Sequence, residues 1–197
     1  MDGIKIIDQV TLSKQIKSIM IFEFLDKYNM LEKSIRESFE TAIKTFNPQV
    51  IQQLYFYYGG KIGSSIEYET RTIKLKEIKY NENEFFKDFT TNQIIKIFKN
   101  TSYIEKFNFN IPSLRHPNND FSFYDCVVRL LNMRNRLAHE VSNTNFKNSD
   151  LIELLSLDDI KQNSFIMLQN YDIDKMDDMT KYIASNIIYM DIILEHL

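Results

Sequence analysis

The stretch LLNMRNRLAHE, residues 130–140, sets charged and polar side chains into an otherwise apolar helical pattern. Arg134, Asn135 and Arg136 interrupt the pattern, and His139 follows about one turn farther on. The apolar members keep the three- and four-residue spacing of a buried helix face: Leu130, Leu131, Met133, Leu137 and Ala138. The stretch therefore predicts a helix that packs through one face and presents a polar cluster on the remainder.

Most of the chain repeats this helical spacing, and only four glycines and three prolines interrupt it. We expect helices over about 11–46, 48–58, 82–100, 121–142 and 174–196, and one or two more over 149–170. Residues 61–80 are the exception, because apolar and polar residues alternate there, which favours a short β-hairpin near 64–79. The pattern predicts a mainly all-α helical bundle with a small β-hairpin insertion.

Local signals suggest where helices begin. Asn29 and Glu32 have the spacing of a capping box, which either restarts a helix or punctuates a long one. Residues 110–120 contain two prolines and are expected to form a loop that ends with Asp120 as the cap of the next helix. We predict one domain over residues 1–197, with core helices at 11–46 and 82–196 and an insertion at 47–81.

Composition limits the class of protein. A chain of 197 residues that is 44% hydrophobic can bury a sizeable core. The single cysteine, Cys126, excludes an internal disulfide framework and suits a reducing compartment. No apolar run reaches the roughly 18–20 residues that cross a bilayer, and no leader pattern is visible. We expect a cytoplasmic protein without a membrane partner.

Charge is unevenly distributed along a chain whose net charge is −3. Residues 147–197 carry four lysines and ten acidic residues, a net of −6, which leaves +3 for residues 1–146. A basic surface beside an acidic one can orient a polyanion, although an ordinary solvated surface explains the same numbers. The acidic region is also a candidate face for a protein partner.

The polar cluster in the opening stretch offers acid–base chemistry. Asn135 and His139 are four residues apart on the predicted helix, so the amide can orient the imidazole, which is a general acid or base near neutral pH. Arg134 adds a fixed cation suited to phosphate oxygens. Such a set needs no metal or cofactor to cleave RNA. The alternative is structural, because arginine and histidine near a helix C-terminus also complement the helix dipole.

The stretch NMRNRLAHE, residues 132–140, resembles the Arg-x4–6-His signature of the HEPN superfamily, the higher eukaryotes and prokaryotes nucleotide-binding domains. Arg134, Asn135 and His139 fit it as Arg-Asn-x3-His. The resemblance implies an α-helical bundle that forms a homodimer in which two motifs share a cleft. For active members it implies metal-independent endoribonuclease activity that leaves 2′,3′-cyclic phosphate and 5′-hydroxyl ends. It also implies a toxin of a toxin–antitoxin pair or an effector of abortive infection or other anti-phage defence, with an antitoxin or other regulatory protein as a partner.

Other residues around the motif have two interpretations each. Arg129 and Arg136 are weaker candidates for RNA-phosphate contacts, and surface ion pairs, such as Arg129 with Asp125, are the equal alternative. HEPN enzymes often recruit an acidic residue from another helix, and the unranked candidates are Glu23, Glu37 and Glu40.

Residues outside the motif carry less specific signals. His116 lies in a proline-containing loop, His196 is penultimate and expected to fray, and Cys126 is expected to be a buried structural thiol. The aromatic run 55–58 can stack on bases or pack in a helix face. The sequence therefore leads to an RNA-cleaving homodimer, and its alternative is a non-catalytic HEPN-like interaction or nucleotide- and RNA-sensing module of a defence or toxin–antitoxin system.

Overall fold

The computed structural model of this chain describes residues 9–45, 89–100, 107–139, 147–163 and 176–197. Its helices are α1 (Gln9–Ile43), α2 (Thr91–Asn100), α3 (Phe123–His139), α4 (Leu157–Asn163) and α5 (Asp178–His196), with a 3₁₀ turn at Asn148–Asp150. Two short strands, β1 (Asn110–Pro112) and β2 (Asp120–Ser122), pair antiparallel. The predicted fold class, mainly α-helical with a small β-hairpin, is confirmed.

The chain divides into two compact units. The first comprises residues 1–31 and 109–197, and the second comprises residues 32–108. Helix α1 contributes to both, because it runs unbroken past Leu31. The prediction of one domain over residues 1–197 stays a prediction. The proposed insertion at 47–81 and its hairpin near 64–79 lie outside the described residues.

Helix α1 is one long amphipathic helix of 35 residues. Its buried side chains recur every three or four residues, as one helix face requires: Ile16, Met20, Phe24, Tyr28, Leu31, Ile35, Phe39 and Ile43. The capping signal at residues 29–32 starts no new helix, because Glu32 is used elsewhere. Its carboxylate accepts from Arg36 Nη2 at 3.1 Å and from the hydroxyl of Thr91 in the second unit.

The second unit holds α2 against the C-terminal half of α1. Arg36 donates to the backbone carbonyl of Phe89 at 2.9 Å and to Thr91 Oγ1 at 3.2 Å. Phe39 and Phe89 pack edge to face with ring centroids 5.6 Å apart. Thr90 and Gln93 bond reciprocally at the start of α2 and cap it. In the described part of the second unit, these contacts pack α2 against the C-terminal half of α1.

Helix α5 is the central element of the first unit. Every residue from 183 to 190 is buried, which a helix shows only when other parts of the chain cover it on all sides. The apolar residues Ile183, Ile187, Met190 and Ile193, which recur at helical spacing in the predicted helix over 174–196, are all buried. Lys27 of α1 forms an ion pair with Asp191 of α5.

A β-hairpin occupies the segment for which we predicted a loop, residues 110–120. Ile111 pairs with Phe121 and buries its side chain, while Ser113 N–H donates to the carbonyl of Asn119 at 2.9 Å and closes the turn. Asp120 is part of β2 and does not cap α3, so that prediction was wrong. Ser122 takes the role, because its hydroxyl accepts from Asp125 N–H at 3.2 Å.

Residues 147–156, here called the return segment, contain the 3₁₀ turn at Asn148–Asp150 and are otherwise irregular. The predicted helix over 149–170 is therefore wrong for residues 151–156, and the described part of it is the helix Leu157–Asn163. Polar side chains of α5 replace the strand partners that this buried backbone lacks. Asn186 accepts from Ile152 N–H at 3.2 Å and donates to the carbonyl of Asp150 at 2.8 Å. Ser185 Oγ accepts from Leu155 N–H at 3.1 Å.

A second polar junction joins the return segment to the hairpin turn. The Glu153 carboxylate accepts from Ser113 Oγ at 2.8 Å and from the Tyr189 hydroxyl, which in turn accepts from Leu114 N–H at 3.0 Å. Burial, and secondly the hydrogen bond to Glu153, raises the pKa of the Tyr189 phenol above its ordinary value. The phenol therefore stays neutral and keeps donating to the carboxylate.

Within the described ranges, no helix combines the length and the apolar character that a membrane span needs.

Replacing Asn186 with alanine tests the importance of this side chain to the fold. Asn186 is 0% exposed, and its loss leaves the Ile152 N–H and the Asp150 carbonyl without their partner in the interior. We expect the free energy of unfolding to fall by about 2–4 kcal/mol. Asn132→Ala is the matched control, because its contact with the Ser149 carbonyl is long, 3.5 Å, and we expect a change of at most about 0.5 kcal/mol. Urea unfolding monitored by circular dichroism measures both, and equal losses would contradict the assignment.

Candidate functional site

Helix α3 carries the candidate site and is fixed by its apolar face. Six side chains on that face are at most 1% exposed: Phe123, Cys126, Val127, Leu130, Met133 and Leu137. Asp125 lies in the first turn, where a carboxylate complements the helix dipole. The helix begins at Phe123, because residues 121 and 122 belong to β2, and it continues through His139, so the predicted helix over 121–142 is confirmed from residue 123 to residue 139.

Arg134 and Asn135 lie side by side on the outer surface of α3. Arg134 is partly exposed, Asn135 is exposed, and Arg134 Nη1 donates to Asn135 Oδ1 at 3.2 Å. Position 139 is four residues after Asn135 and so lies on the same side of the helix. The side chain of His139 lies outside the described part of the structure. Orientation of the imidazole by Asn135 therefore stays a prediction.

Arg129 points to the return segment. Its Nη1 donates to the carbonyl of Asn148 at 2.9 Å and to the carbonyl of Leu151 at 2.7 Å. These are charge-assisted bonds to backbone oxygens, so they help to hold an irregular segment against α3. The structure thus gives this guanidinium a partner different from the Asp125 carboxylate considered above. A contact of Arg129 with RNA phosphate stays a prediction.

Arg136 forms an ion pair with Asp150, with Nε 2.5 Å from Oδ2. The Asp150 side chain is 1% exposed, and the Arg136 side chain is 26% exposed. The same carboxylate accepts from Lys147 N–H at 3.0 Å and from Ser149 Oγ at 3.2 Å. A buried carboxylate needs such partners, because an unpaired charge in the interior is costly. A role of Arg136 in RNA binding stays a prediction.

The three arginines of the motif helix therefore lie in different environments. Arg129 and Arg136 are seven residues apart, nearly two full turns, and both reach the return segment. Arg134 precedes Arg136 by two residues, which places it about 200° around the helix axis. Among the described residues, no carboxylate forms an ion pair with Arg134. Ala138, about 40° farther around the helix axis, is exposed beside it.

The remaining candidate residues are not part of α3. The two described histidine side chains outside the motif are exposed: His116 sits in the hairpin turn, and His196 stacks on Phe109 with ring centroids 5.3 Å apart. The expected fraying of His196 is wrong, because the residue ends α5 with this stacking contact and with Nδ1 2.7 Å from the Ile192 carbonyl. The aromatic run 55–58 lies outside the described residues.

Two of the three acidic candidates on α1 have local partners. Glu37 pairs with Lys33 at 3.8 Å and Glu40 with Lys44 at 2.9 Å, both at the four-residue spacing of helix surface pairs. Glu23 is partly exposed on the same helix. Their ranking as catalytic assistants stays open. Across the described ranges, no group of three His, Cys, Asp or Glu residues is arranged to hold a metal ion.

Cys126 is a buried structural thiol, as the sequence predicted. Its side chain is 0% exposed on the inner face of α3. Burial raises the pKa of the thiol from 9.0 to about 12; the Arg129 charge partly offsets the rise, and Asp125 adds to it. A thiol held neutral in this way is a poor nucleophile.

Two residues that organise the site were missed in the sequence. Asp150 binds Arg136, and Asn186 holds the backbone on both sides of Leu151 and also contacts Met133 Sδ at 3.1 Å. Asn186 left a signal, because it stands within the otherwise apolar run around 183–190. Asp150 left none, since an aspartate in a polar stretch normally lies at the surface.

Comparisons with protein-family models, curated proteins and solved structures found no match to this chain.

The raised pKa of Cys126 predicts how stability depends on pH. The unfolded chain ionises this thiol near its ordinary pKa of 9.0 and the folded chain only near 12, so its contribution is complete below pH 9 and is lost as pH rises toward 12. Between pH 8 and pH 10, we expect the wild type to lose about 1.4 kcal/mol more unfolding free energy than Cys126→Ala does. Urea titrations at both pH values measure the difference. Parallel losses in the two proteins would show that the thiol ionises normally in the fold.

Proposed function

We propose that this chain is a metal-independent endoribonuclease of HEPN type that acts as a homodimer. The observation that carries the proposal is the environment of Arg134. It lies on the exposed side of α3, bonded to the neutral amide of Asn135, whereas the neighbouring arginines are bonded to the return segment. A guanidinium in this setting is available to a phosphate. Its distance along the helix from His139 matches the Arg-x4-His motif.

The proposed roles follow from the chemistry of the three side chains. His139 takes the proton from a ribose 2′-hydroxyl, whose oxygen attacks the adjacent phosphorus. Arg134 stabilises the negative charge that builds on the phosphate oxygens. The 5′-oxygen leaves with a proton from an imidazolium, so the products are a 2′,3′-cyclic phosphate and a 5′-hydroxyl.

Asn135 is proposed to orient His139. Its amide oxygen accepts from Arg134 and has a second lone pair, which can accept from a ring N–H of His139. Such a bond would leave the other ring nitrogen to the substrate and would link the arginine, the amide and the histidine in one chain of hydrogen bonds. The histidine would then be held in the tautomer that acts as a base.

A homodimer would place two such sets in one cleft. One histidine then acts as the base and its copy as the acid, which balances the two proton transfers of the reaction. Two arginines in one cleft also concentrate positive charge in a chain whose net charge is −3. The proposed setting is a cytoplasmic toxin or anti-phage defence effector that an antitoxin or another regulatory protein restrains.

Replacing His139 with alanine tests the activity. We expect the variant to cleave RNA at least about 100-fold more slowly than the wild type in excess EDTA, because the general base is lost. The assay uses total RNA and maps the fragment ends, where a cyclic phosphate and a 5′-hydroxyl are expected. His116→Ala is the matched control, since it removes an exposed histidine of the hairpin turn.

Circular dichroism and size-exclusion chromatography check that both variants fold and associate as the wild type does. If His139→Ala unfolds the protein, the histidine is structural and the enzyme assignment fails. Equal cleavage by the wild type and His139→Ala would assign the activity to a contaminant. A folded wild type that cleaves no RNA would favour the non-catalytic interaction module.

Substitutions of Arg134 test the phosphate contact. We expect Arg134→Ala to lower kcat about 100-fold or more, because the charge that stabilises the transition state is removed. Arg134→Lys keeps a charge but loses the fork of donors, so an intermediate rate is expected. Single-turnover cleavage of a labelled RNA measures both. An unchanged kcat in Arg134→Ala would contradict the proposed role.

A further inference from the structure

The return segment contacts α3 at the turn that carries the candidate site. Arg136 stands between Arg134 and His139 in the sequence, three residues before the histidine, which is less than one helical turn. Its guanidinium is fixed on Asp150, on the side of α3 away from Arg134. The ion pair therefore ties the last turns of the motif helix to a segment that is itself held by α5.

The return segment has other anchors along its length. Asn186 and Ser185 bind its backbone from α5, and Arg129 binds the carbonyls of Asn148 and Leu151 from the middle of α3. Arg115 binds the carbonyl of Leu154 from the hairpin turn at 3.0 Å. Attachment of the segment to the first unit therefore does not depend on the Arg136–Asp150 pair. The pair adds a link at one specific place, the C-terminal turns of α3.

The Arg136–Asp150 pair is better suited to fixing the position of these two side chains than to increasing the stability of the fold. Asp150 is almost fully buried, and burial of a charge offsets much of the attraction gained by pairing it. Three donors converge on its carboxylate, from Arg136, Lys147 and Ser149, so its position is closely defined. A guanidinium bound to such a carboxylate is restricted in direction as well as distance.

We propose that the Arg136–Asp150 pair is a positioning element of the candidate active site. Position 139 lies about 60° around the helix axis from Arg136 and about 140° from Arg134. The pair therefore fixes the turn that sets the position of His139 relative to Arg134, and it holds the Arg136 guanidinium on Asp150 instead of on RNA. This inference rests on the proposed function. It assigns Arg136 and Asp150 roles that act through other residues, and neither touches the phosphate.

The competing assignment gives Arg136 a direct contact with RNA phosphate. The two differ in the effect of removing the Asp150 charge. A guanidinium released from Asp150 would bind RNA more tightly if it were a phosphate contact, so KM would fall. If it is a positioning residue, its release loosens the site, and kcat falls while KM changes little.

The experiment compares four variants of the full chain: Asp150→Asn, Arg136→Met, Arg136→Lys and, as a control, Arg115→Met. Asparagine keeps the shape of Asp150 and an acceptor for Lys147 N–H. The control removes another guanidinium bond to the return segment, together with the 3.7 Å ion pair to Asp159, and neither of these two partners belongs to α3. Circular dichroism and urea unfolding establish the folded state and stability of each protein.

Cleavage of a labelled RNA gives the first readout. We expect Asp150→Asn and Arg136→Met to lower kcat about tenfold or more with KM within about twofold. Arg136→Lys, which keeps the charge, is expected to recover most of the rate, and Arg115→Met to stay within about twofold of the wild type. A stability loss in Arg115→Met without a loss of kcat would separate positioning from general stability.

Nuclear magnetic resonance of the histidine rings gives the second readout, which does not depend on activity. The chain has three histidines, and the His139 signal is the one that disappears in His139→Ala. We expect it to shift in Asp150→Asn and Arg136→Met and to stay in place in Arg115→Met. If Asp150→Asn fails to fold, Arg136→Met carries both measurements, because its side chain is 26% exposed.

The outcomes separate the inference from the proposed function. Unchanged kcat and an unmoved His139 signal in folded Asp150→Asn and Arg136→Met would overturn the inference while wild-type cleavage still supports the function. A lower KM with unchanged kcat in Asp150→Asn would overturn it in favour of a phosphate contact. If the wild type cleaves no RNA, the proposed function fails, and the His139 signal alone decides whether the pair positions this turn.

Discussion

The hydrogen bonds that Asn186 makes with the return segment are the constraint on which much of the first unit depends. An extended stretch of chain with little regular structure cannot be buried unless its backbone N–H and C=O groups find partners. Asn186, placed in the centre of the fully covered part of α5, supplies one donor and one acceptor on either side of Leu151. Ser185 and Tyr189 extend this to Leu155 and the hairpin turn. Helix α5 thus supplies apolar side chains to the core and hydrogen-bond partners to the irregular backbone of the return segment.

The position of the return segment decides which arginines of α3 bind it and which one does not. Because residues 147–151 lie along one side of α3, Arg129 and Arg136 find backbone carbonyls and a buried carboxylate there. Arg134 lies on another side and meets the Asn135 amide. The three arginines within positions 129–136 therefore lie in two kinds of environment. Which environment an arginine has depends on whether the return segment covers its side of the helix.

Helical periodicity predicted much of the described fold. The spacing of apolar residues located α1, α3 and α5 to within a few residues, because each buries one face or nearly all of its surface. The hairpin at 110–122 was missed, since strands of three residues are too short for an alternating pattern to be recognised. Its register brings Ser122 rather than Asp120 to the first turn of α3. A single polar residue in a predicted loop does not reveal whether it will cap the next helix.

The sequence by itself determined the helical class of the fold, the inner face of α3 and the grouping of Arg134, Asn135 and His139 within two helical turns. These are local properties, because residues three or four apart on a helix are neighbours whatever surrounds them. Only the tertiary structure decided which arginine remains on the outer surface. Asp150 is 14 positions from Arg136 and Asn186 is 36 from Asp150, so no spacing rule connects them. Their pairing depends on residues 150–152 of the return segment being buried beside α3 and α5, where unpaired backbone groups and charges are too costly to leave.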